Sequence, residues 1–83
     1  MAFDVKTFVI NTLGELDPEL EIDAETDLFE EDILDSVTIL FLITELENNY
    51  SIQVPLEDLV EDNFKNIDSI EHYILSLIEA GNR

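Results

Sequence analysis

The sequence has no cysteine, which removes disulfides, thiolate metal ligands and any intrinsic thiol nucleophile, and leaves the redox compartment unread. Any thiol chemistry must be imported. Basic side chains are scarce, three against twenty-one acidic ones, for a formal charge of −18. A field of that sign repels phosphate backbones and anionic membrane surfaces, which argues against nucleic acid as a partner. It steers basic protein surfaces toward the chain in a salt-dependent way over a Debye length of ~8 Å. The same charge also serves solubility alone. Histidine occurs once, at His72. No apolar run approaches membrane-spanning length, and Met1-Ala2-Phe3-Asp4-Val5-Lys6 lacks the basic region and apolar run of a signal peptide. No membrane insertion and a cytoplasmic location are therefore expected. Asn49-Tyr50-Ser51 fits the glycosylation pattern by chance, since no secretion signal accompanies it.

What is present is a core. Apolar residues make up 46% of 83 positions, far from the composition of a disordered acidic tail. A chain this short supports one core, so a single domain over 1–83 is expected. Val5, Phe8, Val9, Leu13 and Leu16 recur at spacings of three and four, predicting a helix over roughly 3–16. Asp17-Pro18 breaks it, and 17–35 shows no sustained period. A loop that long needs pinning, for which Leu20, Ile22, Leu28, Phe29, Ile33 and Leu34 are available.

Asp35 is a good N-cap for a second helix running to about Asn49, with Ser36 at its first position. Ile39, Leu42, Ile43, Leu46 and Tyr50 share its core arc, whereas Val37 and Phe41 fall outside it. Residues 50–54 read as an extended connector ended by Pro55, and Leu56 to Val60 as a turn or two of helix. Asp68-Ser69-Ile70-Glu71 has the spacing of a capping box opening a last helix. Its stripe is Ile70, Tyr73, Ile74, Leu77 and Ile78, and Gly81 is its expected stop. The fold class is all-α: three longer helices, one short helix and one long loop in a small bundle.

Ser36 stands where a helix start exposes its hydroxyl and favours a phosphate ester, a position open to phosphorylation or phosphopantetheinylation as well as to plain capping. A serine hydrolase needs a base within reach, but His72 belongs to the last helix and no Gly-x-Ser-x-Gly elbow surrounds Ser36. The acidic groups Asp23, Glu25 and Asp27, and Glu30, Glu31 and Asp32, could attract cations weakly, yet the first lacks the glycine and closing glutamate of an EF-hand loop. No dedicated metal site is expected.

The run Leu28-Phe29-Glu30-Glu31-Asp32-Ile33-Leu34-Asp35-Ser36, with the order of elements around it, resembles the acyl carrier protein family over nearly the whole chain. In that family Asp-Ser-Leu opens the second helix of a four-helix bundle, and a separate transferase places 4′-phosphopantetheine from coenzyme A on the serine. Here the motif reads Asp35-Ser36-Val37. The resemblance implies a carrier, not an enzyme, whose imported thiol holds acyl or aminoacyl cargo as a thioester. It implies delivery to fatty-acid, polyketide or related synthesis. Phosphopantetheinyl transferase, an acyl- or aminoacyl-loading ligase and downstream synthase enzymes with basic docking surfaces are the implied partners.

Relatives serving bulk fatty-acid synthesis usually carry acidic residues just after the serine, where this chain has Thr38 and Phe41. Val37, Phe41, Glu45 and Glu47 are accordingly the candidate docking residues, although Phe41 could instead pack on the last helix. Phe29-Glu30-Glu31 and the stretch from Glu45 to Pro55 look more like free-standing specialised carriers, including D-alanyl carrier proteins. The glycines that peptide-synthetase carrier domains place before the serine are replaced by Leu34 and Asp35. A monomer is expected, and the alternative is an acidic interaction module with no covalent cofactor.

Overall fold

The computed structural model describes residues 4–81 and contains, among them, helices, turns and no strand. Helix α1 spans Val5–Leu16, α2 Ser36–Tyr50, α3 Glu61–Phe64 and α4 Ile67–Gly81, with a 3₁₀ turn at Leu56–Asp58. The small four-helix bundle expected from the sequence is the one observed. Residue 3, included in the expected first helix, lies outside the described residues; Gly81, its counterpart at the other end, is the last of them.

Asp4 caps α1, accepting the Thr7 N–H at 3.1 Å, so the helix begins at Val5. Its stripe buries Val5, Val9 and Leu13 together with Thr12, and α1 packs along α4 and against α2. Phe8 is half-buried, edge-on to Tyr50 with ring centroids 5.6 Å apart. Leu16, at the end of the same stripe, is 49% exposed. On α2 the inward arc is Leu42, Ile43 and Leu46, with Ile39 and Tyr50 packed at its margin. Ser51 ends that helix in the left-handed region, φ 56°, its N–H returning to the Glu47 carbonyl.

The segment between α2 and α4 departs from expectation. The turn or two of helix predicted over 56–60 is a 3₁₀ turn of three residues, and a separate α turn follows at Glu61–Phe64. A helix that short is not stable alone. It exists because Phe64, with no exposed surface, is driven into the core against Tyr73, centroids 5.5 Å apart. Tyr73 also donates its hydroxyl to Asp58 at 2.6 Å, tying the 3₁₀ turn to α4. Burial first, and that carboxylate second, push its pKa above the ordinary tyrosine value.

Nor does the predicted capping box open α4. Asn66 does so, its side-chain oxygen accepting the Ser69 N–H at 2.8 Å and its carbonyl the Ile70 N–H at 3.1 Å. Asp68 and Glu71 instead face Lys6 of α1, at 2.7 and 3.8 Å from its Nζ. All three side chains keep much of their solvent exposure, so water screens these pairs and they add little stability. They leave the excess of carboxylates uncompensated. The melting temperature should therefore rise as sodium chloride is titrated from a few to several hundred millimolar, because screening weakens the repulsion. A flat midpoint would remove charge repulsion from the account of stability.

Candidate functional site

The approach to α2 is held from inside. Leu28 is fully buried and Leu34 nearly so. The Leu28 carbonyl accepts both the Ile33 and Leu34 N–H groups at 2.9 Å, while the Leu28 N–H donates to the Lys65 carbonyl at 2.7 Å. Farther back, the Asp68 N–H donates to the Ala24 carbonyl at 3.2 Å. The long loop is thus pinned to the α3–α4 junction by the apolar residues expected to pin it. Its acidic residues are turn formers: Asp27 accepts the Phe29 and Glu30 N–H groups, and Asp23 those of Glu25 and the Thr26 hydroxyl.

Leu34 enters the core, and two residues later Ser36 is exposed at the first position of α2. Asp35 makes this possible. Its extended backbone turns the chain, and Oδ1 accepts the Val37 N–H at 3.0 Å and the Thr38 N–H at 2.8 Å. The Thr38 N–H bond, foremost, holds the Asp35 carboxyl below the usual aspartate range, and similar backbone bonds act on Asp4, Asp23 and Asp27. A depressed folded-state pKa means that the caps contribute fully above the ordinary value of 3.8 and fade as pH falls below it. At neutral pH the capped helix start presents Ser36 with the positive end of the α2 dipole behind it, which suits a phosphate ester.

His72 is exposed on α4, where it lines a shallow cleft with Asp62, Asn63 and Tyr73. The residues named for docking divide. Val37 is 75% exposed, and Phe41 is half-buried without being among the described side chains that pack on the core cluster. Leu40, which the helical arc alone did not single out, is 55% exposed beside them. Glu45 is half-buried at a hollow shared with Phe8, Asn48 and Asn49. Glu47 braces the connector, its carboxylate accepting the Val54 N–H at 2.9 Å.

The bundle thus displays Ser36, exposed on a helix start that Asp35 caps. The model of the family described as a phosphopantetheine attachment site matches residues 4–74, and the chain belongs to that family. It is a non-catalytic carrier, and its cofactor is a covalently attached 4′-phosphopantetheine. The exposed hydroxyl of Ser36 at a helix N-terminus fits that group, since the helix dipole favours a phosphate ester there. Carriers of this kind work with partner enzymes such as transferases and ligases, and no helix among the described residues is long and apolar enough to cross a membrane.

Among curated proteins, the chain is 36% identical to the D-alanyl carrier protein of Streptococcus gordonii over 78 residues, 93% of this chain and 99% of that one. It is 35% identical, over the same shares, to the D-alanyl carrier proteins of Streptococcus sanguinis and Streptococcus mutans.

Proposed function

We propose that Ser36 carries the phosphopantetheine arm and that the chain, acting as a single monomeric domain in the cytoplasm, is a D-alanyl carrier. The observation that carries the attachment is the exposure of Ser36 on a capped helix start inside the matched family region. Support for the cargo comes from relatives of almost equal length. The arm, when attached, supplies the terminal thiol that the polypeptide lacks. The protein's own part is to hold Ser36 outward on a rigid stem and to present a docking face beside it. Fatty-acid or polyketide delivery, the broader expectation, has no comparable support.

That face is the outer surface of α2, where Val37, Leu40 and Phe41 form a partly apolar strip and Glu45 and Glu47 flank it. Residues 37 and 41 lie about 40° apart on the helix. Phe41→Glu should keep the fold and slow D-alanyl loading roughly ten- to a hundredfold under subsaturating conditions, since burying a phenylalanine in a partner contributes ~1.5 to 3 kcal/mol. Thermal unfolding measured beside loading kinetics decides it. A large fall in melting temperature would make Phe41 a core residue, and unchanged loading would remove it from the interface.

For the cargo itself, the holo chain should accept D-alanine from a D-alanine-activating ligase as a hydroxylamine-labile adduct. Acceptance of fatty acyl groups in preference to D-alanine would overturn this part of the reading.

A further inference from the structure

Residues 55–63 run from the connector after α2 into α3 as a segment tied at both ends and weakly seated between them. At one end the Val54 N–H donates to the Glu47 carboxylate at 2.9 Å. At the other, Phe64 is fully buried and the Lys65 carbonyl accepts the Leu28 N–H at 2.7 Å. Between these anchors the backbone closes on itself, the Asp58, Leu59, Val60 and Asn63 N–H groups donating to the carbonyls of Pro55, Leu56, Asp58 and Val60. Neither the 3₁₀ turn nor α3 has a side-chain cap at its start. Leu59 is half-buried against the core, whereas Leu56 is 83% and Val60 49% exposed, so the segment buries little apolar surface. An open cleft of about 440 Å³ lies between α3 and α4, with Asp62 and Asn63 on one wall and Ser69, His72 and Ser76 on the other. A segment with so few buried contacts opens at a lower free energy than the whole domain.

Asp58 fastens its middle. The carboxylate accepts the Tyr73 hydroxyl at 2.6 Å, and the carbonyl accepts the Asn63 side-chain amide at 2.8 Å. The second bond stays inside the segment, while the first reaches α4. We infer that residues 55–63 form a lid on α4, hinged at Val54 and Phe64, and that the Tyr73–Asp58 hydrogen bond is the latch that holds it shut. Closed, the lid presents Leu56 and Val60 to solvent. Open, it bares Leu59 and the Tyr73 ring. A partner that recognises one of these surfaces and not the other shifts the lid by its difference in affinity, which makes the segment a conformational switch. The inference stands apart from Ser36 and from the nature of the cargo.

Native-state hydrogen exchange on the full chain, followed amide by amide by NMR, tests the latch. Tyr73→Phe keeps the ring against Phe64 and removes only the hydroxyl. Exchange of the Leu59, Val60 and Asn63 amides should then speed up together by about tenfold, the lower end for a hydrogen bond to a charged acceptor that keeps some contact with water. Amides inside α1 and α2, such as Val9 and Leu46, should change by less than about twofold. Asp58→Ala should act on the same three amides, and the double variant should exceed neither single one by more than about twofold, because both remove one interaction. Where the lid amides exchange too fast to time, labelling of Leu59→Cys by a thiol reagent reads the same opening in a chain with no other cysteine. Its rate, relative to that of Leu56→Cys at the exposed position, should rise about tenfold with Tyr73→Phe.

An equal acceleration of Val9 and Leu46 would mean that the whole domain opens, and would overturn the lid. Unchanged exchange and labelling at 59–63, or additive effects of Tyr73→Phe and Asp58→Ala, would overturn the latch.

Discussion

Ser36→Ala is expected to abolish the gain of one phosphopantetheine mass when the chain is incubated with coenzyme A, magnesium and a broad-specificity transferase. The wild type should gain that mass once. The effect is all-or-none because the ester needs a hydroxyl, and Ser36 is the serine that opens a capped helix on the surface. Stability should hardly change: Ser36 is exposed, Asp35 supplies the cap, and alanine is a good helix former. An exposed substitution of this kind stays within about 0.5 kcal/mol, or a few degrees in the melting temperature of a domain this small. Modification persisting in Ser36→Ala would move the site elsewhere. A wild type that several transferases leave unmodified would favour the interaction module.

The largest effect on stability should come from Phe64→Ala. Phe64 has no exposed surface, contacts Tyr73 edge-on and is the buried residue of the one-turn α3. Removing it costs roughly 3 to 5 kcal/mol through lost burial and the cavity left behind. A domain of this size has a total stability of only about 4 to 12 kcal/mol at 0.05 to 0.15 per residue. Denaturant unfolding should therefore show a much lower midpoint, with Leu56→Ala, at a position 83% exposed, as the near-neutral control. A loss below about 1 kcal/mol for Phe64→Ala would show that α3 does not lean on this side chain.

Much of this architecture is legible in the sequence because it rests on local signals. The stripes of α1, α2 and α4 follow from helical spacing, and Asp35 before Ser36 announces both the cap and the exposed serine. The loop residues expected to pin 17–35 do so, with Leu28 and Leu34 buried. The segment around Phe64 was not legible, since a lone aromatic carries no period and its helical turn is created by tertiary packing. The start of α4 differs from the sequence expectation for a related reason: Asp68 and Glu71 have capping-box spacing, but Asn66 reaches the first free N–H groups while those carboxylates meet Lys6.

Periodicity marks which face is outward but not what an outward side chain does. Glu47 has the register of the flanking surface and is engaged with Val54, a contact set by the path of the connector seven residues on. Leu40 lies just beyond the core arc and is as much a part of the exposed strip as Val37. Leu16 is the reverse case, a stripe residue that the end of α1 leaves open.

The most direct test of the central claim is peptide mapping by tandem mass spectrometry of the wild-type chain purified from its own cells. The prediction is phosphopantetheine on the peptide containing Ser36, with a fraction bearing a further alanyl mass that hydroxylamine removes. An unmodified Ser36 peptide, or the arm on another serine such as Ser51, Ser69 or Ser76, would contradict it.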